Sequence, residues 1–196
     1  MIELEKLKTE YSSCEICSLC PKKSGINGVV KSSGPVSSLA IIGEAPGADE
    51  DSAGEPFVGR AGKMLDKLRE GAKIKRHQVF ITNAVKCRPT QNNGKKNRTP
   101  TADECESCSP WLYKEIDLVK PKVIVTLGKT SAEAVLPLPK NFTLGNYINK
   151  SHESSIGNGA YTVVPCWHPS YLMQHGRKKF DEAVDCFKLA KKLVLK

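Results

Sequence analysis

Hydrophobic positions along the chain predict alternating strands and helices. Four short apolar runs rich in β-branched residues, each bounded by turn or helix signals, predict buried strands at 39–44, 79–85, 123–127 and 161–167. Between them, apolar residues at helical spacing predict helices over 61–72, over 111–119, from about 130 onwards and over 180–190. Because the apolar runs are nearly continuous, the strands suit a parallel sheet that is covered on both faces. We therefore expect an α/β protein with three layers, α/β/α, around a central four-stranded parallel sheet.

The length and composition are typical of one globular domain. With 196 residues, 39% hydrophobic and 26% charged, we expect a single domain over residues 1–196. The longest apolar runs fall far short of the roughly 20 residues that a membrane helix needs. The first 14 residues carry three acids and two lysines, so no signal peptide is expected either. Residues 91–98 and 141–159 are turn-rich connections, and the second could hold a short irregular hairpin.

The charge is strongly and unevenly positive. Thirty Lys and Arg against 21 Asp and Glu give a net charge of +9, and residues 63–98 hold eleven basic side chains but only two acidic ones. This excess favours a polyanionic partner such as nucleic acid. The alternative is a basic surface that only keeps the protein in solution.

Eight cysteines indicate metal or redox chemistry. Without an export signal they do not suggest a disulfide framework, because cytosolic thiols are normally kept reduced. Two groups of three, with Cys166 and Cys186 apart, could supply four thiolates to zinc or to an iron–sulfur cluster. Spacing alone does not choose the metal, and reduced structural cysteines remain an alternative. The two groups are Cys14, Cys17 and Cys20, and Cys87, Cys105 and Cys108.

Unusual residues follow each predicted strand at its carboxyl end. They are residues 43–51, 83–88, 128–130 and 168–170. In an open α/β sheet that edge is where ligands bind, so these segments should converge on one cleft. This convergence favours an enzyme, although a lone histidine such as His168 is more often structural. His77, His152 and His175 have no comparable context and are expected at the surface.

Five segments carry a family resemblance. GEAPGADED, PFVGRAGKML, TNAVKCRP, NRTP and HPSYLM, in this order, resemble the family 4 uracil-DNA glycosylases, the iron–sulfur branch of their superfamily. The resemblance implies an enzyme of base-excision repair that flips deoxyuridine out of single- or double-stranded DNA and hydrolyses its N-glycosidic bond. It implies a prokaryotic protein of the cytoplasm, acting with the nucleoid. Alternatives are a related glycosylase that prefers hypoxanthine or mismatched thymine, and a non-catalytic, metal-stabilised DNA-binding module.

The resemblance also implies a [4Fe–4S] cluster held by four of the cysteines. The motifs assign Cys14, Cys17, Cys87 and Cys108 as its ligands and leave Cys20 and Cys105 as extras. The loop after the third ligand is about five residues longer here than is usual in the family. Its functional asparagine is therefore assigned to Asn97, which keeps the flanking NRTP.

Roles for the cleft residues follow from the resemblance. Asn83 would read uracil, since one amide can donate to O4 and accept from N3–H, a pattern that cytosine reverses. Phe57 would stack on the base. His168 would donate to uracil O2, together with backbone N–H groups of residues 44–47, which include Ala45 and Gly47.

The resemblance is less direct about which residues position water and which side chain enters the base stack. Ala45 stands where the better-known branch of the superfamily has a water-activating aspartate. Glu44, Glu50 and Asn97 are therefore left to position water and stabilise the sugar cation. Leu172, four residues after His168, matches an apolar wedge that enters the base stack, and Tyr171 or Met173 could share this role.

The remaining expectations concern oligomeric state, protein partners and phosphate contacts. We expect a monomer, and the lysine-rich final helix could hold a clamp or polymerase partner. Nine basic residues flank the motifs and could contact DNA phosphates: Arg60, Lys63, Lys86, Arg88, Lys95, Lys96, Arg177, Lys178 and Lys179.

Overall fold

A five-stranded sheet forms the middle layer of the computed structural model, which describes residues 2–91 and 94–196. The strand order is β2-β1-β5-β7-β6. The first four strands of this order are parallel, and β6 is antiparallel to β7 at the edge. The predicted parallel four-stranded sheet is therefore confirmed, with one additional edge strand. The strands are β1 Leu39–Gly43, β2 Phe80–Asn83, β5 Val123–Leu127, β6 His152–Ile156 and β7 Gly159–Cys166, with a separate hairpin of β3 Thr90–Gln91 and β4 Lys96–Asn97.

Helices cover both faces of the sheet and give the predicted α/β/α layers. Helices α4 and α7 pack on one face, and α5 with part of α1 and α6 packs on the other. Among the described residues, no helix combines the length and apolar character needed to cross a membrane. The helices are α1 Ile2–Ser12, α2 Pro21–Ser24, α3 Ala48–Ala53, α4 Arg60–Gly71, α5 Ala102–Val119, α6 Lys129–Glu133 and α7 Pro169–Val194.

The two faces explain the four strands that were predicted, and why β6 was expected only as part of a possible irregular hairpin. In β1, Leu39 and Ile41 join the core against α4 and α7, whereas Ala40 and Ile42 join the core against α5. Alternate residues of a strand point to opposite faces, so a doubly covered strand is apolar throughout. Strand β6 lies at an edge, and of its five residues only Ser154 is buried. It therefore lacks an apolar run.

A buried ion pair joins the end of β2 to α5. The Nζ of Lys86 lies 2.6 Å from Oε2 of Glu115, and the two side chains are 2% and 0% exposed. Lys86 Nζ also donates to Thr82 Oγ1 at 2.6 Å, and Thr82 donates to the same Glu115 oxygen at 2.7 Å. Tyr11 OH donates to the other Glu115 oxygen at 2.8 Å. The prediction that Lys86 contacts a phosphate is wrong, because its ammonium group is buried and forms its hydrogen bonds with protein atoms.

Truncation of one partner should therefore be costly. We expect Glu115→Ala to lower the free energy of unfolding by about 3–5 kcal/mol, because it leaves the Lys86 ammonium buried without its counter-ion. Urea denaturation at pH 7 measures the change. Asp185→Ala is the matched control, since it breaks an exposed ion pair with Lys188 and should cost less than about 1 kcal/mol. Equal losses in the two variants would contradict this account of the pair.

Candidate active site and cysteine cluster

A cleft of about 630 Å³ opens at the carboxyl ends of β1, β2 and β7. This is the edge of the sheet that the positions of the motifs predicted. The structure brings to its walls every candidate catalytic and base-binding residue: Glu44, Ala45, Gly47, Glu50, Phe57, Asn83, Asn97 and His168.

Asn83 carries an unused acceptor in this cleft. The residue ends β2, its side chain is almost fully buried at 4% exposure, and its Oδ1 has no hydrogen-bond partner within the described part of the chain. A buried polar atom left unpaired typically costs about 1–3 kcal/mol. Such an atom in a cleft is poised to accept a hydrogen bond from a ligand.

Gly43 makes room for Asn83 and Phe57 at the bottom of the cleft. A Cβ on Gly43 would lie 2.4 Å from Asn83 Oδ1 and 2.4 Å from Phe57 Cζ. Glycine at the end of β1 therefore allows the amide and the ring to approach the backbone. Phe57 itself has φ +57, a left-handed conformation that is unfavourable for a bulky residue. Strain of this kind clusters at functional sites.

Glu50 holds two loops of the cleft together. One of its oxygens accepts the N–H of Gly47 at 3.0 Å, and the other accepts those of Val58 and Gly59 at 3.0 and 2.8 Å. Three backbone donors thus occupy this buried carboxylate. The geometry gives Glu50 a positioning role, and it also engages the Gly47 N–H that was expected to face uracil O2.

His168 presents a neutral imidazole to the cleft. It caps the start of α7, where the backbone N–H of Ser170 donates to Nδ1 at 3.2 Å. Because Nδ1 accepts, the neutral ring carries its proton on Nε2 and can donate from there. Burial lowers the pKa of His168 to about 4. Gly128, at φ +93, allows the close approach, since a Cβ there would lie 3.1 Å from His168 Cβ.

Two further polar residues are fixed at the cleft wall. Glu44 accepts a hydrogen bond from Thr130 Oγ1 at 2.6 Å, which ties the loop after β1 to α6. Asn97 lies in β4, and its Oδ1 accepts from Arg88 Nε at 2.7 Å. Arg88 is thereby directed toward Asn97, although it was expected to contact a phosphate.

Glu104 connects the loop of Asn97 to the amino-terminal cysteines and was not singled out from the sequence. Its carboxylate accepts two hydrogen bonds from Arg98, at 2.6 and 2.7 Å, and one from Ser18 Oγ at 3.1 Å. The Arg98 guanidinium is the main reason that the pKa of Glu104 is lowered to about 2. The pattern Thr101-x-x-Glu104 is a helix capping box, which was the available sequence signal.

Leu172 does not lie where a wedge would have to lie. Its side chain is 4% exposed and belongs to the core between the sheet, α4 and α7. Helix α7 begins at Pro169, and its first turn directs Leu172 inward. Met173 is 44% exposed and lines the cleft. Six of the predicted phosphate-binding residues are exposed, namely Arg60, Lys63, Lys95, Lys96, Arg177 and Lys178.

Five cysteines line a second, smaller cavity between α1, α5 and the segment after β2. They are Cys14, Cys17, Cys20, Cys87 and Cys108. Cys105 is absent from this lining.

Protein N–H groups reach two of these sulfurs. The N–H of Lys86 donates to Cys108 Sγ at 3.2 Å, and the indole N–H of Trp111 donates to Cys14 Sγ at 3.4 Å. Burial raises the pKa of Cys108 to about 11.

The donor set is compatible with an iron–sulfur cluster. Five cysteine sulfurs surround one cavity, and thiolates are ligands of zinc and of iron–sulfur clusters alike. In a four-iron cluster each cysteine binds a different iron, so its ligands stand apart around a cavity. Soft sulfur donors that receive N–H hydrogen bonds are the surroundings in which such clusters occur.

Comparisons with known proteins identify the family of this chain. The family model described as the uracil DNA glycosylase superfamily matches residues 31–190. The type-4 uracil-DNA glycosylase of Sulfurisphaera tokodaii is 40% identical over 87% of this chain and 76% of its own length. Those of Pyrobaculum aerophilum and Thermotoga maritima are 36% and 37% identical, over 88% and 81% of this chain and 86% and 79% of their own lengths.

These matches establish the family. The chain belongs to the uracil-DNA glycosylase superfamily. Within that superfamily it is a member of the type-4 family, as the sequence motifs predicted.

The lowered pKa of His168 should be visible in the stability of the protein. Between pH 6.5 and about 4 the unfolded chain binds a proton at this residue that the folded chain does not, so stability falls as the pH falls. We expect His168→Gln to lose less unfolding free energy than the parent protein between pH 7 and 4.5. Urea denaturation across this range tests it, and parallel pH profiles would show that His168 titrates normally.

Proposed function

We propose that this protein is a uracil-DNA glycosylase of base-excision repair. It takes deoxyuridine out of the DNA stack, hydrolyses the bond between uracil and deoxyribose, and leaves an abasic site. Membership of the type-4 family supports this activity, because its relatives are named for it. The structural observation that carries the proposal is the buried, unpaired Oδ1 of Asn83 in the cleft.

This acceptor distinguishes uracil from cytosine. Uracil carries a proton on N3 that can donate to Asn83 Oδ1, whereas cytosine presents an acceptor at the same position. A site built to pair one hydrogen bond rejects the analogue that cannot form it, because its own buried group is left unpaired. The ring of Phe57 lies beside the amide over Gly43 and provides a surface on which the base stacks.

His168 stabilises the charge that develops as the bond breaks. Negative charge accumulates on uracil O2, and a preorganised donor aimed at that atom lowers the barrier. The Nε2–H of the neutral imidazole is this donor, so the group works without being protonated first. Of the three residues expected to orient water near the sugar, Glu44 and Asn97 keep that role, because backbone donors occupy Glu50. Met173, which is exposed at the cleft, is better placed than Leu172 to fill the space that the flipped nucleotide leaves.

The activity is tested with end-labelled oligonucleotides that carry one deoxyuridine. We expect alkali-dependent cleavage at that position in single strands and duplexes. His168→Ala should lower the excision rate by about 10²–10³-fold, as loss of one charge-stabilising donor does in other enzymes. Asn83→Asp should weaken discrimination against cytosine, because the carboxylate cannot donate to uracil O4. His77→Ala is the control, since His77 is exposed and precedes β2 at the opposite edge of the sheet.

The same assay separates the alternatives. Cleavage only at hypoxanthine or mismatched thymine would indicate a related glycosylase with another base preference. Binding without cleavage of any of these substrates would favour a DNA-binding module and contradict the proposed activity.

We also propose that the smaller cavity holds a [4Fe–4S] cluster through Cys14, Cys17, Cys87 and Cys108. When bound, the cluster would act as a structural cross-link between segments distant in sequence. Lys86 and Trp111 support this role by donating N–H groups to two of the ligand sulfurs. Cys20 lines the same cavity and is the residue best placed to substitute for a ligand.

Iron content tests the assignment. Protein purified without oxygen should contain about four irons per chain and absorb broadly in the visible range. Cys108→Ala should lose most of the iron and unfold at lower urea concentrations than the parent protein. Cys105→Ala should keep the iron, because Cys105 lies outside the cavity lining. Stoichiometric zinc without iron would contradict the cluster.

A further inference from the structure

We propose that three stacked rings at the start of α7 form a platform for a DNA base that flanks the excised nucleotide. The rings belong to Trp167, Tyr171 and His175 and are called the ring ladder below. The proposal rests on the proposed function only in taking DNA as the partner. None of the three residues is among the candidate catalytic or base-reading groups.

The ring ladder is continuous and nearly parallel. The centroids of Trp167 and Tyr171 are 4.9 Å apart with their planes at 21°, and those of Tyr171 and His175 are 3.6 Å apart at 13°. Tyr171 and His175 are four apart in α7 and therefore lie on the same face, whereas Trp167 precedes the N-cap His168 and stacks on Tyr171 from the segment before the helix. At one end, Trp167 is fixed by its indole N–H, which donates to Glu182 Oε2 at 2.9 Å. The other end, His175, is exposed.

His175 is held rigidly although it is exposed. Its Nδ1 lies 2.8 Å from the carbonyl oxygen of Tyr171, which can only accept, so the ring donates this hydrogen bond. A fixed ring loses little conformational freedom when a base stacks on it, and such preorganisation favours binding.

The helix is interrupted where the ring ladder ends. His175 has φ −121 and ψ 15, and Gly176 has φ +69 and ψ −176. In a regular helix the residue four positions on, Lys179, would lie over His175. Instead its Nζ lies 4.7 Å from the centre of the Trp167 ring. The interruption therefore removes the side chain that would otherwise cover the outer face of His175.

Charge and position favour DNA as the occupant. Arg177 and Lys178 follow the ring ladder directly and are exposed, and the exposed ion pair of Arg177 with Asp181 is of a kind that contributes little. Met173, two residues before His175, lines the cleft. Seven residues of helix place His175 about 10 Å from His168 along the axis. For a strand that runs along α7 with a rise of about 3.4 Å per nucleotide, this separation places the ring ladder at a base about three nucleotides from the excised one.

Stacking and phosphate contact differ in their dependence on salt, which makes the proposal testable. The probe is a fluorescent single strand carrying a tetrahydrofuran abasic site, and its binding is measured by anisotropy at several salt concentrations. We expect His175→Ala to weaken binding about tenfold with an unchanged salt slope, because it removes a stacking contact and no phosphate contact. His175→Phe should restore the affinity. Arg177→Ala should lower the salt slope by about 0.7, the value for one phosphate contact on a single strand.

A fluorescent base locates the contact. With 2-aminopurine placed two to four nucleotides from the abasic site on either side, we expect one position to be quenched by the parent protein and by His175→Phe. His175→Ala should not quench it. His77→Ala, at the opposite edge of the sheet, should behave as the parent protein.

Two results would overturn the platform: binding by His175→Ala equal to that of the parent protein, or quenching that does not depend on the ring. Uracil excision by the same preparations distinguishes failure of the platform from failure of the proposed function. Excision without any effect of His175→Ala refutes the platform alone. Ring-dependent binding without excision supports the platform and refutes the glycosylase.

Discussion

The pairing of β1 with β2 at Gly43 and Asn83 determines what the cleft can bind. These two residues are partners in the parallel register, so both strands end at the same level and the Asn83 side chain lies against the Gly43 backbone. The space that a Cβ would fill is shared with the Phe57 ring. One glycine thus permits an acceptor and an aromatic surface to meet at the bottom of the cleft, and the acceptor remains without a protein donor. In the proposed function, this unpaired atom gives the cleft its specificity for a base.

The cleft and the cysteine cavity depend on the same short piece of chain. Asn83 ends β2, and Lys86 and Cys87 follow within the next four residues. Each of these side chains belongs to a different part of the structure. The first points to the cleft, the second fills a buried charge site with Glu115, and the third lines the cysteine cavity. A second connection runs from Ser18 through Glu104 to Arg98, beside Asn97. A cluster in the cavity would therefore stabilise the segments that form the cleft walls without contacting the base.

The sequence predicts those features that arise from local patterns. Doubly covered strands such as β1 are apolar throughout, and residues after parallel strands share one edge, so the fold and the location of the cleft follow directly. Strand β6 was expected only as part of a possible irregular hairpin, because an edge strand is largely polar. Lys86 looked like a surface cation because its partner Glu115 lies 29 residues away and no local pattern connects them. Leu172 was assigned as a wedge from the family resemblance, whereas its burial in the core against the sheet and α4 depends on tertiary packing that no local pattern shows.

The most direct test of the central claim is a crystal structure of the protein with free uracil bound. The account predicts uracil N3 at about 2.7–3.2 Å from Asn83 Oδ1, a normal hydrogen-bond distance. It also predicts the ring stacked on Phe57 and O2 facing His168 Nε2. Uracil bound away from Asn83, or an Asn83 Oδ1 that accepts from a protein donor while the cleft holds the base, would contradict it.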